Sequence, residues 1–374
     1  AAAVIGLSAT ARAQVQPQGG QVVAGSGSIQ QNGSFTGITA GNNAIINWQS
    51  FNIGQGQTVQ FFQPDASSRV LNRITGPDPS TIAGSLIANG IVYIANPAGV
   101  FFAHGSLVNV GGIYAAAGQI TNADFLNNVN RFTTGPGSVQ NHGTINAGAA
   151  HLIGRQAANF GTINAPGGVV TMTAGSDVYI GEQGGQIFAR VQGGGAGDTG
   201  VNQAGQINAK GGHVVLGAGD LYAMAIDHSG RTQASRIKLD GGTGGVVSVS
   251  GTLDASNRDA GGVGGSVEVL GHRVGLFGGT IDASGDGGGG SVKFGGDWQG
   301  QGDTKRAEAS YISRDARIKA DAITNGNGGR IVVWADRYTN YQGKISARGG
   351  SQGGNGGSVE TSGKEFLHMN GSVD

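Results

Sequence analysis

The sequence predicts an all-β chain folded as a single-stranded right-handed parallel β-helix, a solenoid with an N-terminal cap and extra-helical hairpins or loops. Three observations predict it. Glycine supplies 75 of the 374 residues, far above the usual share of about 7%. A short motif built on Ile-Asn-Ala or Ile-Asp-Ala recurs along the chain. Short Val and Ile blocks follow paired glycines at most recurrences. A unit of two or three short strands cannot bury its own apolar face, but stacked copies bury one another and pair edge to edge.

Composition removes other classes. Seven prolines and the lack of a strict Gly-X-Y period exclude collagen. A hydrophobic share of 38%, gathered in blocks, argues against disorder. The formal net charge is zero without any basic run, so no nucleic-acid partner is expected. The absence of Cys removes disulfides, thiolate metal sites and thiol nucleophiles.

Residues 1–13 begin with the apolar run Ala1 to Leu7 and end on Ala11-Arg12-Ala13. That is the A-x-A pattern of a signal-peptide tail, and it implies export. Residues 14 to about 175 are richer in Asn and Phe and less repetitive. In Phe61-Phe62 and Phe101-Phe102 neighbours on a strand point to opposite faces, so one of each pair is expected inside. The outward rings are either covered by the N-terminal cap or offered to the export partner, and cover is the expectation because exposed aromatic patches are costly.

From residue 176 to 374 Gly-rich repeats dominate. The motif occurs at Gly143–Ala147, Gly161–Ala165, Gly205–Ala209, Gly251–Ala255 and Gly279–Ala283, with looser copies at Ala316–Ala320 and Gly343–Ala347. Its central Ile145, Ile163, Ile207, Leu253, Ile281, Ile318 and Ile345 should point inward and stack. The Asn or Asp that follows should sit in a turn and bond nearby backbone. The accompanying strands are expected at Val169–Thr173, Val214–Leu216, Val246–Val249, Val267–Leu270, Val292–Phe294, Ile331–Trp334 and Val359–Thr361. About fifteen coils at ~4.8 Å each would make a rod of roughly 70 Å. Residues 297–310 break the pattern and read as a loop or inserted hairpin. No linker divides the two regions, so one continuous solenoid is expected.

Residues 22–135 resemble the secretion domain of filamentous haemagglutinin and the high-molecular-weight adhesins, exoproteins of two-partner secretion. The resemblance rests on Val70 to Gly76, on Pro79-Ser80, Ile82, Gly84 to Leu86 and Ala88 to Gly90, and on Val92 to Phe102. The family's Asn-Pro-Asn-Gly signature is matched by Asn96-Pro97-Ala98-Gly99, with one departure at Ala98. Its Asn-Pro-Asn-Leu signature falls on Gln63-Pro64-Asp65-Ala66, where only the proline matches. Thr121 to Leu126 also resembles the family, as do the later coils around Gly289–Trp298 and Ile331–Gly350. The resemblance implies an outer-membrane β-barrel transporter as partner and a secreted or surface-displayed product that reaches the outside through the periplasm. It further implies a role in adhesion, biofilm formation, contact-dependent inhibition or haem scavenging; an adhesin is expected, with host-cell or surface glycans or proteins as targets. The chain is expected to be a monomer, and still repeat-like sequence at Asp374 suggests a larger parent.

The competing reading is a polysaccharide lyase or hydrolase acting on acidic glycans, a common occupation of parallel β-helices. It needs clustered carboxylates and cations on one strip. Asp254 and Asp282 are the aligned candidates; ordinary turn chemistry accounts for both. The seven His are scattered without zinc-ligand spacing. No metal, cofactor or catalytic residue is expected, and the chain reads as non-enzymatic.

Overall fold

The computed structural model describes residues 15–183, 186–192, 199–219 and 222–374. The expected signal-peptide tail, residues 1–13, lies outside the described residues. The chain is a parallel β-helix, and its strands stack into three faces. The first runs from Ala44–Trp48 through Arg69–Ile74 and Ile91–Ala95 down to Ser358–Gly363. The second runs from Phe35–Ala40 to Ser372–Val373. The third is an 11-stranded sheet from Ser80–Ile82 to Phe366–Met369.

The recurrent apolar residues stack inside the second face as expected. Ile145, Ile163 and Ile207 lie in register, as do Leu253, Ile281, Ile318 and Ile345. All are buried, and each contributes roughly 1.5–3 kcal/mol by leaving water. Thr232 stands between Ile207 and Leu253 and interrupts the row. Paired glycines bring successive corners into contact. A Cβ on Gly264 would lie 1.9 Å from the Ala283 carbonyl oxygen, so that corner admits no side chain.

Several expectations change. The rod is shorter than fifteen coils: the 13 strands stacked from Phe35–Ala40 to Ser372–Val373 in the second face span about 58 Å. Whole segments leave the coil instead. Strands Gly118–Gln119, Asn130–Thr134, Asp177–Gln183 and Gln186–Gln192 form a separate 4-stranded antiparallel sheet. Second, Asn146, Asn164 and Asn208 lie on strands, not in turns. Their amides form an outward ladder with Asn109, each Nδ2 donating to the Oδ1 one coil earlier at 2.6–2.8 Å. Asp254 and Asp282 end their strands and do accept the N–H two residues on, from Ser256 and Ser284. A carboxylate cannot donate to its neighbour, so it turns to backbone where an amide builds a ladder. Third, Val246–Val249 belongs to the third face, whereas the other strands of its motif lie on the first. Fourth, the cap seals the end of the rod and not its flank.

That cap consists of Gln21–Ala24, antiparallel to Ala44–Trp48, and Gly27–Asn32, antiparallel to Phe35–Ala40. Val22 and Ile29 pack on the core. Phe61 and Phe102 are buried, as strand alternation requires. Phe62 stays 47% exposed on the second face. Phe101 lies against the His142 ring, 5.1 Å between centroids.

The third face carries polar residues inside. Its inward row reads Ile82, Phe102, Asn141, Asn159, Gln203, His228, Val249 and Leu276. The amides satisfy one another: Asn141 Nδ2 donates to Asn159 Oδ1 at 2.8 Å, and Asn159 Nδ2 to Gln203 Oε1 at 2.8 Å. His228 Nε2 lies 2.9 Å from Thr232 Oγ1, which accounts for the polar residue in the second-face row.

Outside the first face lies a second core. Ile45, Leu71, Tyr93, Ala95, Ala116 and Ile153 point outward and pack with Ile120, Phe125, Phe132, Val178 and Ile180 of the extra-helical layer. First-face strands in this half are therefore covered on both sides. The expected insertion is shorter than 297–310: the chain leaves the coil as a loop with a single turn at Trp298–Gly300, Ala307 is already back in the core, and Ala309 and Ser310 belong to the third-face strand Ala309–Ile312. Arg330 stacks over the Trp298 ring at 4.5 Å.

Candidate functional site

Asn96 to Gly99 join the first-face strand Ile91–Ala95 to the third-face strand Val100–Phe102. Pro97 fixes its own φ and lacks an N–H, and Gly99 takes φ +127°, so the chain reverses tightly. The Gly99 N–H donates to the Asn96 carbonyl at 3.0 Å. The Asn96 side chain is fully buried and saturated. Its Oδ1 accepts the Ala98 N–H at 3.0 Å, and its Nδ2 donates to the Asp78 carbonyl at 3.0 Å and to Ser80 Oγ at 3.1 Å. One side chain thus closes its own turn and ties it to the preceding coil. The next coil clasps the turn from the other side. The Gly137 N–H donates to the Pro97 carbonyl at 3.0 Å, and a Cβ on Gly137 would meet Ala98 backbone at 2.3 Å. Gly135-Pro136-Gly137 was missed in the sequence reading, although its Gly-Pro-Gly pattern marks a constrained approach.

Gln63 to Ala66 form a different corner, between Thr58–Phe62 of the second face and Arg69–Ile74 of the first. Asn89 clamps Gln63, accepting its N–H at 2.9 Å and donating to its carbonyl at 2.7 Å. Asp65 Oδ1 accepts the N–H and hydroxyl of Ser67 and of Ser68 at 2.7–3.0 Å. Those hydroxyl and backbone bonds hold its carboxyl below the usual carboxylate range. The two tetrapeptides do not meet. Gln63 lies near the start of strand Ile91–Ala95 and Asn96 follows its end, about 17 Å away for five residues of strand.

Other resembling segments are brought together. Thr121 to Leu126 form a short helix, Asn122–Leu126, with Thr121 as its N-cap: the Thr121 hydroxyl accepts the Asp124 N–H at 3.0 Å. Arg73 reaches across from the strand Arg69–Ile74 and donates to the Ile120 carbonyl at 3.0 Å and Asn122 Oδ1 at 2.6 Å. Arg69 lies over the Phe125 ring at 5.2 Å. Tyr93 stacks on Tyr114 at 4.2 Å and donates to Asn130 Oδ1 at 2.9 Å. These contacts fasten the extra-helical layer to the coil.

The sequence model of the TPS secretion domain matches residues 13–269. The chain belongs to the TPS secretion domain family, that of two-partner secretion. The structure is similar to the HMW1 secretion domain from Haemophilus influenzae, with a TM-score of 0.86 and 30% identity over 96% of this chain and 98% of that one. Two heme/hemopexin-binding proteins of Haemophilus influenzae are also similar in sequence. One is 44% identical over 106 residues, which is 28% of this chain, and the other 41% identical over 90 residues, or 24% of it. The alignments span only 12% and 10% of those two proteins.

Asp254 and Asp282, the carboxylates that the enzyme reading would use, are paired with arginine, as is Asp321, which the sequence did not single out: Asp254 with Arg231, Asp282 with Arg258 at 3.3 Å, and Asp321 with Arg348 at 3.1 Å. Each of these Asp also accepts a backbone N–H.

Proposed function

We propose that residues 14 to about 175 of this TPS domain are recognised by an outer-membrane β-barrel transporter, and that the coils of residues 176–374 follow as passenger. The chain crosses the periplasm, passes the barrel unfolded and folds outside, each coil templating the next. The observation that carries the secretion route is the family match, which spans residues 13–269 and so runs on past 175 into the coils; the division near 175 draws instead on the extra-helical sheet, whose strands end at Gln192. The Asn96–Gly99 turn, tied by Asn96 to one coil and clasped by Gly137 of the next, is the recognition element or shapes it. Co-expression with and without the cognate barrel tests the route. The product should be outside the cell only when the barrel is present; export without it would overturn the proposal.

The passenger serves adhesion, as a non-enzymatic surface. Asp254 and Asp282 each accept the N–H of the second residue on, the structural use expected of a turn residue, and this supports that reading over glycan cleavage. Bacteria lacking the protein should bind surfaces or cells less well, with unchanged turnover of pectate and other acidic glycans. A second reading, capture of haem or its carrier, draws on the names of the two relatives. Retention of a purified complete exoprotein on immobilised hemin or hemopexin, with no adhesion defect in the deletion strain, would favour it.

A further inference from the structure

The seven His are scattered in the sequence, but the third face brings two of them together. Its register sets Phe101 beside Gln140 and Phe102 beside Asn141, with Asn159 one coil farther on. Phe102, Asn141 and Asn159 point inward and are buried. The residues after them turn outward at the corner that leads to the second face. His142 stands there between Phe101 and Phe160, with ring centroids 5.1 and 4.8 Å away. His104, the second residue after Phe102, meets it from the preceding coil in a T-shaped contact, with centroids 5.0 Å apart. The other described imidazoles in polar contacts are engaged: His151 with Thr171, His228 with Thr232 and His272 with Glu308.

Among the described residues no three of His, Cys, Asp and Glu converge; the third donor at this corner is an amide. Gln140 Nε2 donates to Ser138 Oγ at 3.2 Å, which turns its Oε1 toward His142 Nε2, 3.5 Å away. That separation exceeds a good N–H···O bond, so the imidazole nitrogen is not committed to it. The two phenylalanine rings fix the orientation of His142. His104 is exposed, in a turn whose next residue, Gly105, takes φ +79°, and its ring can rotate. Burial, and then the neighbouring His104, hold His142 below the usual imidazole range, so it is neutral near pH 7, the form that a metal takes. Spacing agrees. A metal about 2.0–2.1 Å from each ring nitrogen lies about 3.2 Å from each ring centre, and a ligand angle of about 90–110° sets the centres about 4.5–5.2 Å apart. The 5.0 Å between His104 and His142 falls in that span.

We propose that His104 and His142, with Gln140 Oε1 as third donor, form a site for one divalent transition-metal ion, copper(II) ahead of nickel and zinc. Imidazole nitrogen suits these ions, and the Irving–Williams order ranks copper first. Water completes the coordination on the open side. The ion joins two consecutive coils from outside. The site stands apart from the export and adhesion readings and needs neither.

The test is calorimetric titration of the purified chain with copper(II) chloride in glycine buffer, which outcompetes weak surface sites. One tight equivalent is expected, with an electron paramagnetic resonance spectrum that shows coupling to two imidazole nitrogens. His104→Ala and His142→Ala should each weaken binding about ten-fold or more, and the double variant should lose the tight equivalent. His142→Phe keeps a ring between Phe101 and Phe160 and should lose it too, which separates ligation from packing. Gln140→Ala should cause a smaller loss. A control, His272→Ala with His368→Ala, should bind as the parent does. Copper should raise the Tm of parent and control but not of the double variant. The absence of a tight equivalent, a spectrum with a single nitrogen, or undiminished binding by the double variant or by His142→Phe would overturn the proposal. Equal loss in the control would mark adventitious binding and overturn it as well.

Discussion

The first face of the rod has two different exteriors. In its N-terminal half the outward positions are Ile45, Leu71, Tyr93, Tyr114 and His151, in register and under the extra-helical layer. In its C-terminal half the same column continues as Lys238, Glu268 and Lys293, open to water. The coil beneath is the same in both. What distinguishes the N-terminal half is what is laid upon the coil, and the strands there show it by losing their polar alternation.

The largest expected effect lies in the covered half. Phe132 is wholly buried between the layer and the coil. Phe132→Ala should cost about 3–5 kcal/mol in denaturant unfolding. It should also loosen the layer first, seen as faster amide exchange over residues 118–134 and 177–183. Exchange that rises equally in the late coils would break the distinction between the two halves.

The internal amide ladder should come next. Asn159→Ala leaves Asn141 and Gln203 with a lost partner inside the rod, a cost of about 1–3 kcal/mol. A loss no greater than that of an exposed amide, such as Gln140→Ala, would show that water replaces the ladder without cost.

A pH dependence follows from two buried imidazoles, one under the layer and one inside the coil. Burial pushes His151 down to about 3 and His228 down to about 4. The unfolded chain takes up these protons near pH 6.5, whereas the folded chain stays neutral until much lower pH. The unfolded state thus binds more protons in this window, so stability falls as pH drops from about 6.5 toward 4. Chemical unfolding at pH 7.5, 6 and 5 should show the decline, and His228→Gln should make it shallower. The smallest effect belongs to the bare half. Glu268→Gln breaks two solvent-exposed ion pairs and should change stability by less than about 1 kcal/mol.

The coil was legible in the sequence because one short motif recurs in it, although at uneven spacing. Ile145, Ile163 and Ile207 recur against glycine corners, and the inward row follows directly. The column of Tyr93, Tyr114 and His151 was not legible. Strands covered on both sides read as plain apolar runs, and nothing local announces which layer covers them. The layer itself was hidden for a similar reason: Asn130–Thr134 and Asp177–Gln183 are short, lie far apart in sequence and pair antiparallel, outside the repeat. The interruption of the apolar row at Thr232 was not legible either, because its partner His228 lies on another face. The Asn96 turn was readable because Pro97 and Gly99 constrain backbone locally. Its clasp by Gly137 depends on the next coil and could be read only from the fold.

The central claim is that the layered half, through the Asn96 turn, directs export while the bare coils are carried along. It is tested most directly by secretion of two double variants in cells with the partner barrel. Asn96→Ala with Pro97→Ala removes the turn's internal bonds and its bonds to Asp78 and Ser80. Asp282→Ala with Ser284→Ala alters a late corner of the bare half. The account predicts that the first accumulates in the periplasm while the second reaches the medium at the parental level. Normal export of the Asn96/Pro97 variant, or equal retention of both, would contradict it.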